Sequence, residues 1–451
     1  MRPAPEDLTR RDFLKGGSLA TLMGLVGGVE LVAQAEVIEA AAPPTPANRV
    51  KCGVIGCGVW GREIISTLSR IPAAQVVALC DKYPAYLKRA SRLAPEAKAI
   101  DDHRRILEDK GVPAVIVATP SHLHKAVVLD ALQAGKHVYC EAPLATTLED
   151  AKAIALAARS SPKLHFQTGL QFRSDPQRPF VLNFIRSGAT GRTIMARSQW
   201  HKKQSWRFTA PDPEREKEIN WRLDPQTSLG LVGEIGIQQI DCASWFLGSR
   251  PTAVSGFASL MLWNDGRAVP DTIQTIFEYP GGVRFHQDCT LANSFDSDYE
   301  AYYGSDAAIV MRGSKAWMFK EVDAPALGWE VYAKKETFYQ ETGIALMVGA
   351  SKQQALTEEP AQDVAKPTAL QHALTNFLQN AYDLGAAVED FTAGYGSDDP
   401  KALLEHLATV PRRPYAGCQE GFETVVIALK ANEAMATGRR LELKPEWFEL
   451  A

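Results

Sequence analysis

Positive charge is not in excess in this chain: 49 Lys and Arg stand against 53 Asp and Glu, a formal net charge of −4. No chain-wide attraction to nucleic acid or to an anionic membrane surface is therefore expected. The seven cysteines, at 52, 57, 80, 140, 242, 289 and 418, form no Cys-x-x-Cys and no zinc-type spacing, so no metal site is expected. A membrane span needs about 20 mainly apolar residues. The one weakly apolar stretch, near the N-terminus, is broken by Glu30 and by recurrent glycines, so no stable span is expected. Neither an internal repeat nor a coiled-coil pattern is visible. What is present is the ordinary apolar and charged content of a soluble enzyme, and about 400 residues beyond the N-terminal segment exceed what one core usually supports.

The first 48 residues read as lying outside the fold. Thr9-Arg10-Arg11-Asp12-Phe13-Leu14-Lys15 precedes a small-residue run from about Gly16 to Ala33, and Ala33-Gln34-Ala35 has the small-x-small form of a cleavage site. This is the pattern of a twin-arginine signal. It predicts a signal peptide over residues 1–35, a linker over 36–48 that includes the Ala/Pro-rich stretch Ala40 to Ala47, export machinery as a transient partner, and the periplasm or another exported location as destination. Substrates of that route fold in the reducing cytoplasm first, so free buried thiols are expected rather than disulfides.

Chemistry begins at residue 50. Val50 to Ile55 is a β-type run, Gly56-Cys57-Gly58-Val59-Trp60-Gly61 completes G-x-G-x-x-G, and Arg62 to Arg70 continues at helical spacing. In such a unit Gly56 permits the tight turn, Gly58 lets a pyrophosphate approach the backbone, and Gly61 allows close helix packing. A second strand, Ala74 to Cys80, ends in Asp81 at the spacing of a ribose-binding acid. Its carboxylate repels a 2′-phosphate and favours NAD, while Lys82 beside it keeps NADP open. Ala114 to Pro120 is an almost continuous apolar run suited to a parallel strand covered on both faces, Leu123 to Gln133 is an amphipathic helix, and His137 to Glu141 is a further strand. Ligands bind beyond the C-terminal strand ends of these sheets, which puts Thr119, Pro120, His124 and Glu141 near the cofactor.

At these residues the chain resembles the Gfo/Idh/MocA oxidoreductases. The likeness runs from about 49 to 450 through the glycine turn, Ala118-Thr119-Pro120 with His124, Glu141-x-Pro143-Leu144, Gln171-x-Arg173 with Pro176, and Gly233 to Asp241. It implies an α/β chain, with a Rossmann NAD(P)-binding domain over residues 49–170 and an α+β substrate domain over 171–451 that has a large open, mostly antiparallel sheet. It also implies Pro143 as a cofactor neighbour, hydride transfer to or from a sugar, sugar derivative or cyclitol, and a homo-oligomer. Two departures stand out. The family's Glu-Lys-Pro is Glu141-Ala142-Pro143 here, and its Gly-x-His is Gly236-Ile237-Gln238, so neither customary proton-transfer side chain is present, and glutamine cannot titrate.

His201 and Lys202, at the end of the strand that starts at Thr193, and Glu234, where relatives carry an acid beside the site, are the candidate replacements. Arg173, Arg222, Gln238 and Asp241 are candidate substrate contacts, with an ion pair as the other reading of Asp241. Three functions are compatible with these residues. The first is an oxidoreductase that retains and internally recycles its NAD, since an exported enzyme has no free nicotinamide pool. The second is an NAD-dependent glycosidase working by transient oxidation and elimination, and the third a non-catalytic, NAD-containing sugar-binding protein.

Overall fold

The computed structural model describes residues 49–450 apart from 314, 329, 331–332, 334, 339–340, 347–366 and 397–398. The expected signal peptide and linker, and most of the Gln-rich segment after Glu336 that reads as an insertion or dimer arm, lie outside the described residues.

The first sheet is six-stranded and parallel, in the order β3-β2-β1-β4-β5-β6. Its strands are β1 (Val50–Ile55), β2 (Ala74–Cys80), β3 (Lys98–Ile100), β4 (Ala114–Val117), β5 (His137–Cys140) and β6 (Phe166–Thr168). Every residue of β4 and β5 is buried, as the apolar runs demand of central strands covered by helices on both faces. β1 pairs with β2 on one side and with β4 on the other. Strand order reverses between β1 and β4, which opens a crevice at their C-terminal ends. Five helices connect these strands: α1 (Val59–Leu68), α2 (Pro84–Ala90), α3 (Arg104–Leu107), α4 (His124–Gln133) and α5 (Leu148–Arg159). β4 is shorter than the apolar run suggests because the chain turns at Thr119-Pro120 into a single 3₁₀ turn, Ser121–Leu123.

After α6 (Gln177–Arg186) the second sheet starts with β7 (Thr193–His201), followed by three helices, α7 (Pro213–Ile219), α8 (Gly230–Glu234) and α9 (Ile237–Leu247). The remaining strands are β8 (Ala253–Ser259), β9 (Thr272–Glu278), β10 (Arg284–Thr290), β11 (Asp298–Gly304), β12 (Ala307–Arg312), β13 (Lys315–Lys320), β14 (Lys335–Phe338) and β15 (Glu341–Leu346), with β16 (Leu441–Glu442) closing the far edge. The ten strands run β14-β15-β13-β12-β11-β7-β10-β9-β8-β16, antiparallel except for the β7/β10 pair. β8 stops at Ser259, short of the apolar Met261-Leu262-Trp263, because the backbone amides of those three residues donate to the fully buried Asp271 carboxylate at 2.8, 2.8 and 2.9 Å.

Side-chain parity decides which face of this sheet meets the rest of the molecule. Ser198 of β7 donates to Gln239 of α9, Gln287 of β10 donates to the Gly236 carbonyl, and Glu300 of β11 pairs with Arg178 of α6. These residues mark the helix-covered face. Arg197, Gln199 and His201, and on β10 His286 and Asp288, take the opposite parity and belong to the outer face.

One continuous core joins the two sheets, running from Val115, Val138 and Ile154 through Phe422 and Val426 of α12 (Cys418–Thr437) to Phe277 and Phe285. The long helix α10 (Ala369–Tyr395) is followed by α11 (Pro400–Thr409). α10 returns to the first sheet, where Leu370, Leu374 and Phe377 pack with Val54, Ile116 and Tyr139. All seven cysteines are free, and six are buried. Among the described residues no helix is long and apolar enough to cross a membrane, and no group of metal-ligating side chains converges.

Candidate active site

The glycine turn is shaped by steric exclusion. Gly56 has φ +98°, and a Cβ there would lie 2.5 Å from the Ala118 carbonyl; a Cβ on Gly61 would lie 1.9 Å from the Gly56 oxygen. Gly58 differs, with nothing within 4 Å of its would-be Cβ. That open space over the middle glycine, at the N-terminus of α1, is where a pyrophosphate would meet bare backbone amides. Asp81 stands beside it at the end of β2. Its Oδ2 accepts from the Cys57 amide and its Oδ1 from the Tyr83 amide, each at 2.8 Å. Burial pushes its pKa up to about 6, against the opposing pull of the Cys57 amide and of Lys82, Arg62 and Arg215. Cradle and acid together fit a dinucleotide, with Gly56, Gly58 and Gly61 under the phosphates and Asp81 on the ribose diol.

Across the crevice, residues just after β4 and β5 carry buried oxygens with no hydrogen-bond partner among the described residues, Thr119 Oγ1 and Glu141 Oε1, and Gln238 Oε1 of α9 is a third. Orphaned buried polar atoms are costly and mark places that a ligand completes. Gly169 lies tight against Glu141, since a Cβ there would come within 2.7 Å of Glu141 Oε2, and its carbonyl accepts from Gln238 Nε2 at 2.7 Å. Gln238 thus reaches the same corner as Glu141. Burial lifts the Glu141 pKa to about 7.

His124 does not line this space. It is almost wholly buried, with Nδ1 3.0 Å from the Pro143 oxygen and Nε2 2.9 Å from the Thr119 oxygen. Burial depresses its pKa to about 4, so near neutral pH the ring is uncharged and donates through one nitrogen only. It packs between the loop after β4, with Pro120, and the cis Ala142–Pro143 peptide after β5, and donates to one of the two carbonyls.

Of the three candidate proton-transfer residues, the fold brings one into the crevice. The Glu234 side chain, 3% exposed, accepts from Ser121 Oγ at 3.3 Å and from Ser228 Oγ at 3.2 Å, and lies 3.7 Å from Arg222 Nε. Burial raises its pKa, and the Arg222 charge opposes the rise. Arg222, stacked over Trp221 at 4.3 Å, also lies within electrostatic reach of Glu141, so one guanidinium acts on two buried carboxylates. His201 is a correction to the sequence expectation: it sits on the outer face of the second sheet, its Nε2 2.5 Å from Asp288 Oδ2, away from Gln238 and Glu141. Lys202 is exposed just past the strand end.

Arg173 and Asp241 also find each other. Arg173 Nε and Nη2 both contact the buried Asp241 carboxylate at 2.9 Å, and the guanidinium lies 5.3 Å from the Trp245 ring. The alternative reading of Asp241 as an ion-pair partner is therefore the one realised, with Arg173 rather than with a neighbour on its own helix. Ser121, Ser228 and Gly169 are site residues that sequence reasoning did not single out. Only Ser121, next to Thr119-Pro120, had a signal that could have drawn attention to it.

Residues 50–169 match the oxidoreductase family with an NAD-binding Rossmann fold, and residues 181–318 match the GFO/IDH/MocA C-terminal domain. The chain belongs to the Gfo/Idh/MocA oxidoreductase family. Curated members similar to it include levoglucosan dehydrogenase of Pseudarthrobacter phenanthrenivorans, 30% identical over 263 residues, which are 53% of this chain and 65% of that protein. Inositol 2-dehydrogenase 2 of Saccharopolyspora erythraea is 30% identical over 226 residues, 50% of this chain and 61% of that protein. The chain thus matches under two thirds of the length of these two relatives. In fold it is similar to levoglucosan dehydrogenase in complex with NADH and L-sorbose, with TM-score 0.64 and 20% identity over 88% of this chain and 99% of that one. It is similar as well to an aldose-aldose oxidoreductase from Caulobacter crescentus complexed with glycerol, with TM-score 0.61 and 18% identity over 88% and 100% of the two chains. As in these Gfo/Idh/MocA structures, an NAD-binding Rossmann domain is followed by a mostly antiparallel sheet.

Proposed function

We propose that the protein is an NAD-dependent oxidoreductase of a sugar, sugar derivative or cyclitol, in which Glu141 takes the part of the absent lysine and histidine. The observation that carries this reading is the Glu141 carboxylate. It is buried at the end of β5, holds Oε1 without a partner among the described residues, and has its pKa lifted by burial to about 7, where a general base works best. Bound NAD would supply the hydride acceptor for a substrate carbinol carbon. Glu141 Oε1 accepts the hydroxyl proton as the C–H bond breaks, and returns it when the next acceptor is reduced. Arg222 holds the substrate oxygens and stabilises the carboxylate form of Glu141, and Gln238 offers a hydrogen-bonding amide.

Glu234, engaged by Ser121, Ser228 and Arg222, positions Arg222. Thr119, the glycine turn and Asp81 hold the cofactor, while Pro120, His124 and Pro143 shape the loops around it. Lys202 is left as a rim residue, and Arg173 with Asp241 braces α9. The twin-arginine pattern supports an exported enzyme whose NAD is loaded before export and recycled in place by two substrates taking turns, so that no net redox equivalent is consumed.

The test is to unfold purified protein and identify released NAD or NADP by mass spectrometry, then to incubate folded protein with free aldoses, cyclitols and aryl glycosides. A change in nicotinamide absorbance without aglycone release is expected. Aglycone release would replace this reading with the elimination route, and bound NAD that no sugar alters would replace it with a sugar-binding protein.

A further inference from the structure

We propose that Arg215, carried by α7 of the second domain, is a cofactor-contacting residue that closes the adenosine end of the dinucleotide site and slows its release. This rests on the dinucleotide reading above and deepens it by assigning a residue to retention.

No residue of α7 is buried as a whole, so apolar burial does not hold it in place. Its contacts with the first domain end instead on the turn that follows Asp81. Tyr83 donates its hydroxyl to Glu218, Lys82 Nζ lies 2.7 Å from the same carboxylate, and the Arg215 guanidinium lies 4.6 Å from the Tyr83 ring and 5.9 Å from that of Tyr86. From the other side Arg62 stands 5.7 Å from the Tyr86 ring and donates to the Cys57 carbonyl at 2.9 Å. Two tyrosines and three cations therefore surround the ribose-binding acid, and one of the cations comes from the other domain.

The connection that delivers α7 is built to keep its shape. The Asn220 side chain binds both the amide and the carbonyl of Phe208, at 2.8 and 2.7 Å. Arg207 pairs with Glu216 at 2.8 Å and donates to the Asp265 carbonyl at 2.8 Å. Trp206 is held at φ +64°, a backbone state that bulky residues adopt only where the surroundings impose it. Arg215 Nε is buried and has no partner among the described residues, although its charge acts on Asp81. A flat cation with an unused donor, resting on an aromatic ring beside a diol-binding carboxylate, suits an adenosine: the guanidinium face takes the base and the free N–H an oxygen of the ribose.

The full chain, loaded with NADH and mixed with excess NAD⁺, reports release through the loss of nicotinamide fluorescence. Arg215→Ala is expected to release NADH about 10-fold faster, the size of one partly desolvated cation–π contact. It should also weaken ADP-ribose binding by a similar factor and leave nicotinamide mononucleotide affinity unchanged, a split that general loosening of the fold would not produce. Arg215→Lys, which keeps the charge but not the flat face, should fall between, and serves where the alanine variant does not accumulate. Release and ADP-ribose affinity equal to wild type in both variants would overturn the role of Arg215 while the dinucleotide reading stands. A wild-type chain that binds neither NADH nor ADP-ribose would overturn both.

Discussion

Replacing Glu141 by glutamine separates the thermodynamic and the chemical roles of one carboxyl group. Burial raises the Glu141 pKa from its ordinary 4.5 to about 7. The nucleotide-free folded state therefore binds this proton more tightly than the unfolded chain does. The stabilisation is complete below about 4.5 and is lost as pH rises through about 7. A difference of about 2.5 pKa units corresponds to about 3 kcal/mol at 1.36 kcal/mol per unit. Glutamine has the same shape and stays neutral, so Glu141→Gln should match wild type near pH 4.5 and exceed it by about 3 kcal/mol at pH 8.

Urea denaturation of nucleotide-free protein at several pH values is the assay. Asp81, whose pKa also rises to about 6, titrates in both proteins and cancels in the comparison. On the chemical side the same variant should lose about 10²- to 10⁴-fold in turnover, the usual worth of a general base, while still binding NADH. The wild-type rate should rise with pH through about 7 as the carboxylate ionises. Stability curves that run parallel from pH 5 to 8 would refute the burial of this carboxyl, and undiminished turnover would refute its role as base.

The two outer glycines and the middle one should respond differently to alanine. Gly58→Ala meets no protein atom within 4 Å and should leave thermal stability unchanged while weakening NADH binding, measured by titration, whereas Gly61→Ala collides with the Gly56 oxygen and should not yield folded protein. Arg173→Ala strands the buried Asp241 and should cost about 3–5 kcal/mol in chemical denaturation; a loss confined to substrate affinity, with stability intact, would instead make Arg173 a substrate ligand. Replacing Arg10 and Arg11 together by lysine should leave the uncleaved chain in the cytoplasm, and unaltered export measured by cell fractionation would remove the argument for cofactor loading before secretion.

Much of the first domain was legible because its signals are local. β1 and β2 were found at their observed ends, and the glycine turn with Asp81 could be read as one unit, since a tight turn and a strand-end acid are properties of a short window. The second domain yielded strand positions but not strand faces. Alternation says only that His201 and Trp200 point opposite ways; it took the contact of Ser198 with α9 to show that His201 belongs to the outer face. Asp241 met Arg173 and Glu234 met Ser121 across 68 and 113 residues, distances over which spacing in the chain carries no information about proximity.

What the sequence determined by itself is therefore the dinucleotide cradle, which follows from which atoms a backbone turn can tolerate. The succession of the two domains, and Ala142 and Gln238 as departures from the family's pattern, were legible only through the resemblance to that family. What only the tertiary structure decided is what surrounds the candidate groups: the burial of Glu141, the Arg222–Glu234 pair, and the helix α7 laid over the turn after Asp81. A carboxyl group's proton affinity and a guanidinium's partner depend on burial and on neighbours from distant segments, and those exist only once the two sheets share a core.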